Sequence, residues 1–227
     1  MHRVLLLSVV LGFAAPPVFA QDPVKVDPAH HQVVLENDQV RVLRIAFGPK
    51  EKAPVHEHPA SVAVFLTDAH FRISPVGGKP DETPQKRGGI VAVSAGKHTV
   101  ENIGGAKTEL VLVELKGPAA PAPWLGVAQD AVKLDAKHYK IELENDRARV
   151  LRVTYGPKEK SVMHDHPATV AVFLTDANVT FTGAGASARP NASKAGEVVW
   201  SDAETHLPEN VSDKPFETIV VELKTKK

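Results

Sequence analysis

The chain repeats itself. Gln21-Asp22-Pro23-Val24-Lys25-Val26-Asp27 returns as Gln129-Asp130-Ala131-Val132-Lys133-Leu134-Asp135, an offset of 108 residues. The same offset carries Leu35-Glu36-Asn37-Asp38 onto Leu143-Glu144-Asn145-Asp146, and Gly48-Pro49-Lys50-Glu51-Lys52 onto Gly156-Pro157-Lys158-Glu159-Lys160. It also carries the apolar stretch from Val62 to Ala69 onto the stretch from Val170 to Ala177, and no gap is needed anywhere. Self-similarity at a fixed period sets the architecture before any residue is assigned a role. Residues 21–116 and 129–227 therefore read as two copies of one domain. Residues 117–128 join them, and their Pro- and Ala-rich composition predicts an extended, fairly stiff linker.

Within a copy the hydrophobic period is close to two. Val40 to Phe47, Val62 to Leu66, Gly89 to Val93 and Thr108 to Leu115 read as strands separated by Gly, Pro and Asp clusters. No helical pattern of ten or more residues interrupts them. Short strands at regular spacing in about 95 residues predict an all-β sandwich or barrel of the jelly-roll kind.

Residues 1–20 stand apart. A short basic start is followed by an apolar run from Val4 to Ala15 and then Val18-Phe19-Ala20. This is the pattern of a secretory signal peptide cut after Ala20, and it predicts a periplasmic or secreted protein. The run is shorter than the roughly 20 residues a membrane span needs, and no later segment is long and apolar enough. There is no cysteine, which excludes disulfides, thiolate metal sites and a cysteine nucleophile. The 27 basic and 27 acidic residues balance, with no basic block, so nothing points to a nucleic-acid partner.

The 11 histidines carry the chemistry. Each copy has a His-x-His pair, His56-Glu57-His58 and His164-Asp165-His166. Residues i and i+2 of a strand face the same way, so both imidazoles of a pair enter the barrel together. A third histidine follows 40 residues after each pair, at His98 and His206, and an asparagine four residues later, at Asn102 and Asn210. Three imidazoles suit a divalent transition metal and leave positions open for water or substrate. Glu57, Asp165, Glu101 and Glu209 fall on the opposite parity and are expected to face outward. Asn102 and Asn210 read as structural, and His30 and His138 as turn or packing residues. His31 and His70 have no histidine counterpart in the second copy and receive no role. Arg41 and Arg44, with Arg149 and Arg152, read as members of exposed ion pairs worth little each.

The spacing of these residues resembles the cupin family. Gly48 with His56 and His58, then His98 with Asn102, are similar to the family's two motifs, and Gly156, His164, His166, His206 and Asn210 repeat them. The resemblance covers nearly all of the chain after residue 20. It implies a tandem cupin holding a metal (Fe, Zn, Cu, Ni or Mn) inside each barrel through His56, His58 and His98, and through His164, His166 and His206. The chain departs from the family where a glutamate ligand is usual. That position falls at Val62 or Ala63, and at Val170 or Ala171, all apolar. Val62, Val64, Val170 and Val172 are expected to line the sites and keep them dry.

Three readings follow. The first is an exported metal-dependent enzyme of the dioxygenase type acting on a small organic substrate, with no catalytic side chain assigned beyond the ligands. The alternative is a non-catalytic metal or small-ligand binding protein of the cell envelope. The third is a scaffold, since fold does not fix function. A monomer with paired barrels and a homodimer both agree with the duplication.

Overall fold

The computed structural model describes residues 21–117 and 126–224. The expected leader over 1–20 and most of the expected linker lie outside the described residues. The first half begins with one helical turn, α1 (Pro23–Val26), capped by the Asp22 side chain. Nine strands follow: β1 (His31–Glu36), β2 (Val40–Phe47), β3 (His56–His58), β4 (Ser61–Phe65), β5 (Ala69–Pro75), β6 (Pro84–Gln85), β7 (Ile90–Val93), β8 (Gly96–Asn102) and β9 (Thr108–Leu115). The second half repeats the order with α2 (Ala131–Leu134), β10 (Tyr139–Glu144), β11 (Ala148–Tyr155), β12 (His164–His166), β13 (Thr169–Phe173), β14 (Ala177–Gly183), β15 (Ala188–Ser193), β16 (Val198–Ser201), β17 (Glu204–Asn210) and β18 (Phe216–Leu223).

Each half is a pair of antiparallel sheets, five strands in the order β1-β2-β9-β4-β7 and four in the order β3-β8-β5-β6, with the same arrangement in the second half. The expected all-β class and the two jelly-roll barrels are thus what the chain forms. The pairing joins residues far apart in sequence, as β2 to β9 with Val40 opposite Leu115.

The inner strands of the five-stranded sheets, β2, β4 and β9 in the first half, are buried on both faces, and this decides which residues reach the sites. Leu43, Ile45, Phe47, Ala63, Phe65, Leu110 and Leu112 point into the first barrel and form its core. The alternate residues Val40, Val42, Val62, Val64, Val111 and Val113 point out, where they meet Ala148, Val150, Val170, Val172, Ile219 and Val221 of the second half in one shared core. Val62, Val64, Val170 and Val172 therefore do not line the sites as expected from sequence. Ala63, Phe65, Ala171 and Phe173 hold that position instead. A strand covered on both faces has no polar side to fix its parity.

The contact between halves is reciprocal. Arg44 donates to the carbonyl of Gly196, and Arg152 donates to the carbonyl of Gly88 at 2.6 Å. Both pairs obey the 108-residue offset, so the halves meet as two like subunits do about a two-fold axis. Arg44 and Arg152 do make the expected ion pairs, with Glu109 and Glu142, but they are partly buried in this contact rather than exposed.

Candidate metal centres

The two His-x-His pairs sit on the three-residue strands β3 and β12. His56 lies directly across from His98 on β8, and His164 across from His206 on β17. Cross-strand partners share a face, so the local pairing alone brings the third histidine to the first two. The ring centroids of His56 and His98 are 4.6 Å apart, and those of His164 and His206 are 5.0 Å apart.

The far nitrogen of each imidazole in the pairs is already engaged. His56 donates from Nδ1 to the Pro54 carbonyl at 2.8 Å, and His164 does the same to Val162 at 2.8 Å. His58 donates from Nδ1 to Glu114 at 2.6 Å, and His166 to Glu222 at 2.7 Å. These acceptors place the proton on Nδ1, which leaves each Nε2 as a bare lone pair. Nε2 of His56 is buried with no hydrogen-bond partner. The Nε2 atoms of His164 and His166 face each other at 3.1 Å. Two lone pairs do not hold each other at that distance, but a cation between them would. Metal–nitrogen bonds of about 2.0–2.1 Å put neighbouring ligand nitrogens roughly 3.0–3.4 Å apart. The residues fit a divalent transition metal.

The ligand atoms that come together differ between the halves. In the second, His164, His166 and His206 present nitrogens within 4.8 Å of one another. In the first, the set within that distance is His31, His56 and His58. His31, given no role on sequence grounds, stands on β1 opposite Ile45 and faces the interior with it. Its Nδ1 donates to the Asp27 carbonyl at 3.1 Å. Tyr139 occupies the equivalent place, its ring 4.8 Å from that of His164. His98 packs its ring against His56 and His58 at the edge of the first cavity.

Burial controls the charge of these groups. Loss of solvent pushes the His31 and His164 imidazoles down to about 4, and His98 down to about 3, with the neighbouring imidazoles adding to the effect. Neutral imidazole is the form that binds metal.

A chain of charges behind each pair was missed in the sequence. Glu114 and Glu222 are 1 % and 0 % exposed. Besides its histidine, each accepts from the Nε of an arginine, Arg41 and Arg149 respectively. Those arginines in turn reach Asp22 at 2.9 Å and Asp130 at 2.6 Å. Arg41 and Arg149 were expected in exposed ion pairs, but both face inward with Leu43 and Leu151. Burial raises the carboxyl of Glu114, while the bonds from His58 and Arg41 lower it further, leaving it below the usual carboxylate range. A carboxylate on the outer nitrogen of a ligand histidine fixes its tautomer and ring orientation.

Other expectations map directly. Asn102 and Asn210 are fully buried and tie turns together, donating to Gly48 and Ala106, and to Gly156 and Lys214. Glu101 and Glu209 face outward in ion pairs with Arg72 and Lys160. His30 and His138 stack on Phe47 and Tyr155.

Each centre opens into a cavity, about 430 Å³ in the first half and about 470 Å³ in the second. The first is walled mainly by Phe47, Phe65, Phe71, Leu110 and Leu112. The second replaces Phe47 with Tyr155 and Leu110 with Thr218, and adds Arg189, Trp200 and Glu204. Glu204 accepts from Nδ1 of His206 at 3.0 Å, and its counterpart in the first half is Gly96.

Among solved structures, the chain is similar to AerE from Microcystis aeruginosa (TM-score 0.66, 13 % identity, covering 89 % of this chain and 96 % of that one). It is also similar to a cupin 2 conserved barrel domain protein from Leptotrichia buccalis (TM-score 0.55, 12 % identity, 85 % and 88 % covered). The Bacillus subtilis oxalate decarboxylase, which has Mn(II) centres, matches with a TM-score of 0.56 at 15 % identity, over 85 % of this chain and 71 % of that enzyme. No family model matches the sequence, and no curated protein matches it.

Proposed function

The chain has the tandem cupin fold, and from that premise we propose that it binds a divalent transition metal in each barrel and serves as an exported, metal-dependent enzyme of the dioxygenase type on a small organic substrate. The observation that carries metal binding is the convergence of bare Nε2 atoms, above all the 3.1 Å approach of His164 to His166. His164, His166 and His206 hold the metal of the second barrel, and His56 and His58 with a further imidazole hold that of the first. The metal, when bound, supplies Lewis acidity and, if redox-active, a route to oxygen chemistry.

The residues of the chain supply the rest. Glu114 and Glu222 hold His58 and His166 in one tautomer, and Arg41 and Arg149 bond the second oxygen of each carboxylate. Cavities of about 430 and 470 Å³ suit small organic molecules. Arg189 at the rim of the second cavity offers a cation to an anionic group. The aromatic walls of the first barrel exclude water. The leader pattern over 1–20 supports export to the periplasm or beyond.

The alternative, a metal or small-ligand binding protein without turnover, is favoured by the first barrel, whose mainly aromatic and aliphatic walls would hold an apolar ligand with little to transform it. Elemental analysis of untagged protein from the exported fraction tests the metal: one or two equivalents are expected, lost in the His58→Ala plus His166→Ala variant. No stoichiometric metal after anaerobic reconstitution sinks the enzyme reading and leaves a small-ligand binding or scaffold barrel. Oxygen uptake with small thiols, diketones and phenols then separates enzyme from binder.

A further inference from the structure

The two copies differ at a pair of positions that act together. His31 in the first barrel is Tyr139 in the second, and Gly96 in the first is Glu204 in the second. The ring of His31 lies 4.9 and 5.9 Å from those of His56 and His58, and the ring of Tyr139 lies 4.8 and 5.6 Å from those of His164 and His166. The two side chains hold the same place. Only one offers a bare nitrogen: the Nδ1 of His31 is fixed on the Asp27 carbonyl, which leaves its Nε2 open, whereas the Tyr139 hydroxyl is tied to that of Tyr155 at 2.8 Å.

The other difference bears on the histidine of the next-to-last strand in each half, His98 on β8 and His206 on β17. A ligand imidazole needs an acceptor on its outer nitrogen to keep its tautomer and orientation. His206 has Glu204 at 3.0 Å. Gly96 offers His98 no such group, and among the described residues no hydrogen bond holds the His98 ring. The barrel without an anchor for its third histidine is the one with a histidine on β1. The barrel with the anchor has lost that histidine.

We propose that the two barrels draw their third metal-binding imidazole from different strands, His31 of β1 in the first and His206 of β17 in the second, which leaves His98 as an unanchored imidazole at the edge of the first cavity. The proposal rests on the metal-binding reading above. It makes the two centres unlike: the first faces aromatic walls with a free imidazole beside it, and the second faces Tyr139, Glu204 and Arg189.

The test uses the full chain with the second site removed by His164→Ala and His166→Ala, titrated with Cu(II) and read by calorimetry and by the nitrogen hyperfine pattern in electron paramagnetic resonance. His31→Gln and His31→Tyr should each weaken binding by at least about tenfold and remove one nitrogen from the spectrum. His31→Tyr installs the residue that the second barrel carries at this place, although Phe47 stands where Tyr155 meets its hydroxyl, so His31→Gln is the primary variant. His98→Gln should leave both affinity and spectrum nearly unchanged. In the intact chain with the first site removed, His206→Gln should lose the metal and Tyr139→Phe should keep it. Loss of first-site metal in His98→Gln overturns the proposal, even where the His31 variants do not fold, and so does its retention in folded His31→Gln. Cu(II) binding to neither barrel of the unaltered chain is a different outcome, which overturns the metal reading itself.

Discussion

At the scale of residues, the chemistry lies in which nitrogen of each histidine is free. Glu222 spends one oxygen on His166 and the other on Arg149, deep inside the second barrel. Glu222→Gln should weaken the second site by about 10–100-fold, read by chelator competition. It should also lower stability by about 3 kcal/mol, read by urea unfolding, because the buried Arg149 loses one of its carboxylates. The buried imidazoles set a pH dependence. In the unfolded chain His31 and His164 take up protons near 6.5, but in the folded chain only near 4. The metal-free protein is therefore at full stability above pH 6.5, and each of the two groups removes on the order of 3 kcal/mol as pH falls to 4. The urea midpoint of metal-free protein should drop between pH 7 and pH 5, and an unchanged midpoint would contradict the assignment. The His-x-His pairs were legible because a strand fixes i and i+2 on one face. His31 was not, because its value comes from β1 lying beside β2 in space, and the absence of a histidine at 139 made it look incidental.

At the scale of elements, the inner strands of the five-stranded sheets each serve two cores. In β4, Val62 looks toward the other half and Ala63 into the cavity, although both are buried. Val62→Glu should place an unpaired charge in the shared core and cost several kcal/mol, enough to prevent folding. Ala63→Glu should be tolerated, since its carboxyl enters a cavity lined by His56 and His58. Soluble expression and thermal melting of the two variants check this, and equal behaviour would show the parity to be wrong. This double burial explains what the sequence concealed. Strand positions could be read from β-branched runs, but Glu114 within Leu110, Val111, Leu112 and Val113 had no polar face to be compared with. Its repetition as Glu222 was the available signal, since a charge kept in the middle of two matching apolar strands is there for a partner.

At the scale of the whole molecule, the repeat foretold two barrels, but the offset alone held no information on which faces would meet. The apolar outward faces of β2, β4 and β9 need cover, and the second half supplies it through a matching surface. Two consequences can be measured. The intact chain should unfold in one cooperative transition, since neither half keeps its outer core without the other. Residues 21–117 expressed alone should form a dimer through the same face, seen by light scattering, because a surface built to meet its own copy is self-complementary. A monodisperse monomer would argue against that.

The reciprocal contact of Arg44 with Gly196 and Arg152 with Gly88 has one more implication. In a pair of identical subunits every change is made twice, so neither centre can alter without the other. Joining the copies in one polypeptide removes that constraint while keeping the partners at a fixed ratio of one to one. The exchange of His31 for Tyr139, and of Gly96 for Glu204, is what such freedom permits: two dissimilar cavities, made together and never separated by dilution.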